Sequence, residues 1–146
     1  MKILIVGSGG REHAIAWKLS QSRHHPEILI APGNAGTASI GRNLPIAALS
    51  PDAVTAVARE HAVDLVIIGP ELPLVEGVAD TLRENGFLVL APSAAAARIE
   101  GSKIFSKRLM EKTGIPTARF SVAETAVEAL RVLEDFPVPV VLKAAG

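Results

Sequence analysis

The sequence predicts an α/β fold built on a doubly wound parallel sheet, and three observations support this. Short, continuous apolar runs alternate along the chain with amphipathic segments of helical period. Such runs are typical of parallel strands that helices cover on both faces. The first run, at 2–6, leads into a glycine turn at 7–10, which is where doubly wound domains often bind anions. With 146 residues, 49% of them apolar, the chain can hold one complete core and part of a second domain.

The predicted elements alternate in type along the first part of the chain. Strands are expected at 2–6, 27–31, 64–69 and 87–91, with a weaker one at 44–47. Helices are expected at 11–21, 51–61 and 73–85. The second helix has a clear start, because Ser50 is a good N-cap and Pro51 suits the first turn. Apolar residues at every fourth position support the third helix: Leu74, Val78 and Leu82.

The composition changes after residue 91, and a domain boundary is predicted near 92–101. This divides the chain into a domain at 1–100 and the beginning of another at 101–146. The second part is expected to contain a helix at 102–113, a strand at 117–122, a helix at 123–135 and a strand at 139–143. Because so short a unit cannot bury both faces of a sheet, we expect the chain to be a fragment of a longer protein.

Charge and composition exclude several classes of function. Fifteen basic residues balance fifteen acidic ones, so no broad basic field is available and nucleic acid is not an expected partner. Without cysteine the chain has no disulfide or thiolate chemistry. No apolar run is long enough for a signal peptide or a membrane span, so we expect a soluble, cytoplasmic protein without a membrane partner. His24 and His25 predict an exposed turn rather than a metal site.

Three loops follow the carboxyl ends of predicted strands, at 7–10, 31–36 and 69–73. In a parallel sheet they open onto the same edge and form a crevice. Gly9 and Gly10 would offer backbone N–H groups to a phosphate, and Arg11 would offer a bidentate guanidinium.

Two other residues of this crevice each have two interpretations. Glu71 would accept hydrogen bonds from a vicinal diol, or it would be a carboxylate that a helix N-terminus favours for structural reasons. Asn34 would contact the ligand, or it would merely tolerate a left-handed turn.

The glycine turn does not fit a nicotinamide or flavin dinucleotide well. Glu12 stands where that motif has its third glycine, and no acidic residue follows near the end of the second strand. A purely structural turn without a ligand is a further alternative.

Two lysines are candidates for phosphate contacts. Lys143 ends an apolar predicted strand, where an ammonium is costly unless it reaches water or an anion. Lys103 shares a helix face with Lys107, which suits either a solvated edge or a ligand contact. The sequence supplies no catalytic triad and no assignable carboxylate pair, so no catalytic residue is predicted.

Six motifs, in order along the whole chain, resemble those of the phosphoribosylamine-glycine ligases, also called glycinamide ribonucleotide synthetases. They are Gly7–Ala14, Pro32–Gly36, Gly69–Leu74, Ser102–Lys107, Gly114–Thr117 and Pro139–Lys143. The resemblance implies a Rossmann-like pre-ATP-grasp domain followed by the start of an ATP-grasp region. It implies ligation of glycine to 5-phosphoribosylamine in purine biosynthesis, through a glycyl phosphate, giving glycinamide ribonucleotide, ADP and phosphate with Mg²⁺ or Mn²⁺.

The resemblance also implies roles for the crevice residues. Gly9, Gly10 and Arg11 would lie at the sugar phosphate, and Glu71 at the ribose hydroxyls. Lys103 and Lys143 match the nucleotide-phosphate lysines of the family, which would offset charge on the transferring phosphoryl group.

Part of the family's machinery is not present in this sequence. Ala145 stands where the family usually has aspartate, and the expected metal ligands and most of the adenine pocket lie beyond this chain. The chain alone is therefore expected to be inactive. The alternatives are a free-standing, non-catalytic module that binds a sugar phosphate or nucleotide, against which residues 102–143 argue, and a nicotinamide-dependent oxidoreductase domain.

Overall fold

A computed structural model describes residues 1–144 and contains a five-stranded, fully parallel sheet. The strands are β1 (Lys2–Gly7), β2 (Glu27–Pro32), β3 (Arg42–Asn43), β4 (Leu65–Ile68) and β5 (Leu88–Leu90). Their spatial order is β3-β2-β1-β4-β5, so the chain winds outward from β1 first in one direction and then in the other. The predicted doubly wound α/β class is confirmed.

Seven α-helices accompany the strands in the described part of the chain. They are α1 (Gly10–Ser20), α2 (Pro51–Glu60), α3 (Glu71–Val75), α4 (Val78–Glu84), α5 (Ala94–Gly101), α6 (Lys103–Thr113) and α7 (Ala126–Glu134). The side chain of Ser50 accepts a hydrogen bond from the Ala53 N–H, so the predicted start of α2 is confirmed. None of these helices has the length and apolar character that crossing a membrane requires.

The core lies on both faces of the sheet, as the alternation of side chains along β1 requires. Leu4 and Val6, with no exposed surface, belong to a cluster that includes Val54 of α2 and Leu82 of α4. The intervening isoleucines of β1 belong to a second cluster with residues of β2, β4 and α1: Ile3, Ile5, Ala16, Ile28, Ile30 and Ile67. Every interior position of β1 is therefore buried.

The strand register brings three loops together at one edge of the sheet. Val6 of β1 pairs with Ala31 of β2 on one side and with Ile68 of β4 on the other. The Gly33 N–H donates to the Gly7 carbonyl at 3.1 Å, and the Gly69 N–H donates to the Val6 carbonyl at 3.2 Å. The loops after β1, β2 and β4 are thus held side by side by backbone hydrogen bonds.

Two predictions for the first part of the chain were wrong in detail. The single helix expected at 73–85 is two helices, because Gly77 has φ +87° and interrupts the helical backbone before α4. The weak strand expected at 44–47 is the two-residue β3, although the Leu44 N–H still donates to the Ile30 carbonyl. The alanines near the predicted boundary at 92–101 lie in α5, for which no element was predicted.

The chain divides into two compact units, the first Met1–Ala97 and the second beginning at Arg98. In the second unit, α6 and α7 confirm the helices predicted at 102–113 and 123–135. The strands predicted at 117–122 and 139–143 are absent, because isolated extended segments need a paired neighbour for their backbone N–H and C=O groups. No residue from 98 to 144 is fully buried.

Candidate functional site

A pocket lies at the carboxyl edge of the sheet, where β1 and β4 end. Its volume is about 360 Å³. The lining consists of the turn after β1, the loop after β4 and one apolar side chain: Gly7, Ser8, Gly9, Gly10, Arg11, Glu12, Leu49, Pro70 and Glu71. Four of the predicted binding residues line it, and Asn34 does not. The site therefore joins two loops that are about sixty residues apart in the sequence.

The glycine turn presents fewer free donors than the sequence suggests. The Gly9 N–H already donates to the Glu12 carboxylate at 2.6 Å. A ligand would instead meet the N–H groups of Gly10 and Arg11, which begin α1 and have no partner within the helix. A side chain added at Gly10 would meet no atom within 4 Å, so this glycine faces open space. The first turn of α1 can thus receive an anion.

The Arg11 side chain connects the two loops of the pocket. Its guanidinium donates to the Gly69 carbonyl, at the end of β4. It forms no ion pair with Glu71 within 4.0 Å in the described chain, although both residues line the pocket. The guanidinium has five N–H groups, so those not used by Gly69 remain for a ligand.

The Glu71 carboxylate is an acceptor of the pocket with no partner in the described chain. Glu71 is the exposed first residue of α3, directly after Pro70. Within residues 1–144 its side chain makes no hydrogen bond or ion pair, so nothing in the described chain holds its oxygens. Both interpretations of Glu71 persist, because a helix N-terminus favours a carboxylate and the pocket offers a ligand to it.

Asn34 has a connecting role between loops. Its Oδ1 accepts the Thr37 N–H at 3.0 Å, and its Nδ2 donates to the Ser8 carbonyl at 2.8 Å. The loop after β2 is thereby tied to the glycine turn. The left-handed interpretation of Asn34 is wrong, because the residue with positive φ (+73°) is Gly33. Contact with a ligand stays a prediction for Asn34.

Thr37 is the centre of the polar network behind this loop. It is fully buried, and its Oγ1 accepts the Asn34 N–H at 2.7 Å. The same oxygen lies 2.9 Å from the Asn34 carbonyl and 2.8 Å from Oδ1 of Asn43. No sequence pattern singled out Thr37, since these hydrogen bonds exist only in the folded loop.

Replacing Thr37 by valine is expected to lower the free energy of unfolding by about 1–3 kcal/mol. The change keeps the shape of the side chain but leaves the partly buried Asn34 N–H without its partner. Urea denaturation of this chain measures the loss. The control is Thr113→Val, because the exposed Thr113 hydroxyl only donates within α6, and a loss below about 0.5 kcal/mol is expected there. Equal losses of unfolding free energy in the two variants would contradict a stabilising role of the hydrogen bonds around Thr37.

The two predicted nucleotide-phosphate lysines lie in the second unit. Lys103 is the first residue of α6, and its side chain is exposed. Lys143 is exposed and outside any strand, so the argument from its burial was wrong. Their neighbour Lys107 is engaged, since it donates to Oγ1 of Thr117 at 2.6 Å and to the Ala118 carbonyl at 3.2 Å. Phosphate contacts of Lys103 and Lys143 stay predictions.

Metal-ligating side chains are not clustered in the described chain. Among residues 1–144, no group of three or more histidine, aspartate or glutamate side chains is placed to hold a metal ion. His24 and His25 lie in the exposed connection between α1 and β2, in agreement with the predicted turn. Ala145, the departure from the family pattern, falls outside the described residues.

Comparisons with known proteins agree with this architecture. Residues 1–100 match the family model described as phosphoribosylglycinamide synthetase, N domain. The phosphoribosylamine-glycine ligase of Xylella fastidiosa (strain 9a5c) is 46% identical over 148 residues, which cover 100% of this chain and 34% of that protein. The corresponding protein of Leifsonia xyli subsp. xyli (strain CTCB07) is 50% identical over 147 residues, with coverages of 100% and 35%. The chain thus spans about a third of the length of these relatives.

Solved structures give the same result. The crystal structure of phosphoribosylamine-glycine ligase from Thermotoga maritima matches with a TM-score of 0.72 and 34% identity, over 95% of this chain and 32% of that one. N5-carboxyaminoimidazole ribonucleotide synthetase from Thermotoga maritima matches with a TM-score of 0.67 over 90% of this chain and 36% of that one. At 16% identity the second match shows the fold alone. The family model and the relatives together establish that this chain belongs to the phosphoribosylglycinamide synthetase family and carries its N domain.

Proposed function

We propose that this chain is the substrate-binding N-terminal part of a ligase that joins glycine to 5-phosphoribosylamine. The products are glycinamide ribonucleotide, ADP and phosphate, and the reaction belongs to purine biosynthesis. Support comes from relatives named phosphoribosylamine-glycine ligase that are 43–50% identical over essentially the whole chain. The domain would cover residues 1–100, and the ATP-grasp region would begin at 101.

The observation that carries this proposal is the composition of the pocket at the carboxyl edge. A sugar phosphate has an anionic end and a ribose with vicinal hydroxyls. The first turn of α1 offers free N–H groups and the Arg11 guanidinium, which suit the phosphate. On the neighbouring loop, Glu71 offers a carboxylate without a partner in the described chain, which suits the hydroxyls. Donors for an anion and an acceptor for a diol thus lie in one cavity.

The chemistry of the ligation would come from the rest of the protein together with the second unit. ATP is the proposed co-substrate, with Lys103 and Lys143 at its phosphates and Mg²⁺ or Mn²⁺ as the metal. The side chains of residues 1–144 do not fit a metal site, since no acidic or histidine cluster is present among them. No step through the metal is derived from this chain, and the metal ligands are proposed to lie in the remaining two thirds. A cytoplasmic location and small-molecule partners, without nucleic acid or membrane, complete the proposal.

The test compares the full-length protein with the 146-residue chain. The full-length protein is expected to form glycinamide ribonucleotide and ADP from 5-phosphoribosylamine, glycine and ATP, and the chain alone is expected to form neither. Mass spectrometry of the product and a coupled ADP assay measure the two outcomes.

Two results would contradict the proposal. A full-length protein that binds the sugar phosphate but releases no ADP would support the non-catalytic binding module instead. NADH fluorescence that rises on mixing and falls again when NAD is added would support the oxidoreductase domain, and no such change is expected.

A further inference from the structure

Glu12 is a buried charged residue in the wall of the pocket. Its exposed fraction is 4%, and the other buried polar residues in the described chain, Thr37 and Thr55, are uncharged. Burying a carboxylate costs several kcal/mol unless donors and positive partial charges surround it. Glu12 is the third residue of α1, where the N-terminus of the helix supplies such a charge. The buried carboxylate therefore depends on the polar groups that surround it.

The Glu12 side chain fills the space between two loops. Its Oε2 accepts the Gly9 N–H at 2.6 Å. A Cβ at Gly69 would lie only 1.8 Å from Oε1, and a Cβ at Gly7 would lie 2.7 Å from Cδ. The glycines at these two positions leave room for the carboxylate, and any side chain there would displace it. Gly10, by contrast, has free space around its Cβ position.

Two neighbouring residues of α1 thus connect the loops after β1 and β4. Glu12 lies against the backbone of Gly69 and orients the Gly9 N–H, while Arg11 binds the Gly69 carbonyl. Because the Gly9 N–H is directed toward Glu12, the next two N–H groups, of Gly10 and Arg11, are left at the open end of the helix that lines the pocket. The direction of these donors depends on the contact between Glu12 and the turn.

We propose that Glu12 is a positioning residue for the sugar-phosphate subsite. It holds the glycine turn so that the Gly10 and Arg11 N–H groups converge on the phosphate, and it keeps the β4 loop, with Glu71, at the matching distance. This inference rests on the proposed function, because the phosphate belongs to the proposed substrate. Glu12 itself does not contact the reacting atoms.

Steady-state kinetics of the full-length protein test the role in binding. Glu12→Ala is expected to raise KM for 5-phosphoribosylamine about tenfold, because a misplaced donor array loses much of its affinity, while KM for ATP changes less than about twofold. Glu12→Gln keeps an acceptor oxygen for the Gly9 N–H and is expected to restore KM to within about threefold of the wild type. Equal changes in both KM values, or no recovery with glutamine, would overturn the proposal.

A second variant covers the case in which Glu12→Ala does not fold. Gly69→Ala introduces no backbone strain, since φ of Gly69 is not positive. Its methyl group would clash with Oε1 of Glu12 and displace the carboxylate. The same selective rise in KM for 5-phosphoribosylamine is expected from it. An unchanged KM in Gly69→Ala would overturn the proposal.

A double-mutant cycle tests the contact without any assay of the ligation. Thermal unfolding of this chain is measured for Gly69→Ala, Glu12→Ala and both together. Gly69→Ala is expected to be much less destabilising when residue 12 is already alanine, because the clash has been removed. Gly10→Ala is the control, and its effect should not depend on residue 12. Additive effects of Gly69→Ala and Glu12→Ala would overturn the proposed contact.

The two proposals fail in different ways. If the full-length wild type forms no glycinamide ribonucleotide, the proposed ligase function fails. Isothermal titration calorimetry with ribose 5-phosphate then tests the positioning role separately. It compares the affinity of the wild type with that of the two Glu12 variants. Affinity that falls about tenfold in Glu12→Ala and recovers in Glu12→Gln supports the role, and any other pattern, including no binding by the wild type, overturns it.

Discussion

Replacing Glu71 by alanine in the full-length protein is expected to raise KM for 5-phosphoribosylamine about ten- to hundredfold. Hydrogen bonds from ribose hydroxyls to a charged acceptor are worth about 1.5–3 kcal/mol, and each 1.4 kcal/mol is about a factor of ten in affinity. KM for ATP is expected to stay within about twofold, because Glu71 lies in the pocket formed by the loops after β1 and β4. Steady-state kinetics with each substrate varied in turn give both values.

The matched control for Glu71 is Glu76→Ala at the C-cap of the same short helix. Glu76 is exposed, has the same charge, follows the last residue of α3 and is not among the residues that line the pocket. It is expected to leave both KM values unchanged. If Glu71→Ala weakens binding of 5-phosphoribosylamine and ATP together, the carboxylate serves the helix N-terminus rather than the ribose.

Much of the fold was predictable because buried parallel strands have a strong sequence signature. The run expected at 2–6 is β1 at Lys2–Gly7, and the run expected at 27–31 is β2 at Glu27–Pro32. Both strands are apolar throughout their interiors because helices cover both faces of the sheet. The helix start with a capping serine, Ser50 before α2, was equally clear.

Errors occurred where tertiary pairing or one backbone angle decides the outcome. The apolar row from Leu74 to Leu82 has helical period throughout, but the positive φ of Gly77 divides it, and periodicity does not report φ. The strand expected at 117–122 has suitable residues and no neighbouring strand in the described chain. The strand propensity of these residues therefore predicted a strand that has no partner to pair with in the described chain.

The candidate site was predictable in its location but only partly in its contacts. Glycine turns after β1 and β4 indicated the edge of the sheet, and Arg11 and Glu71 line the pocket found there. The bond from Arg11 to the Gly69 carbonyl joins residues 58 apart, and no local pattern contains that pairing. Nor does any local pattern show that the Glu12 side chain has room only because residue 69 is glycine. The only sequence signal of Glu12 is an acidic residue in the first turn of a helix, which is common for structural reasons.

Replacing Leu4 by alanine is expected to lower the free energy of unfolding of this chain by about 3 kcal/mol. Leu4 has no exposed surface and lies in the central strand, paired with Leu29 on one side and Val66 on the other. Because strands on both sides and helices above hold this position, the cavity cannot collapse, and buried leucine-to-alanine changes cost about 2–5 kcal/mol. Urea denaturation with an unchanged m-value gives the loss.

Leu88→Ala on β5 of the same sheet is the control for Leu4. Leu88 is 71% exposed, so its truncation removes little buried surface, and a loss below about 0.5 kcal/mol is expected. Similar losses for the two leucines would contradict the two-faced core described for β1. A large loss confined to Leu4 would also bear on the site, because β1 leads directly into the glycine turn. The orientation of the Gly10 and Arg11 N–H groups, which we propose as phosphate donors, then depends on the same strand that anchors the core.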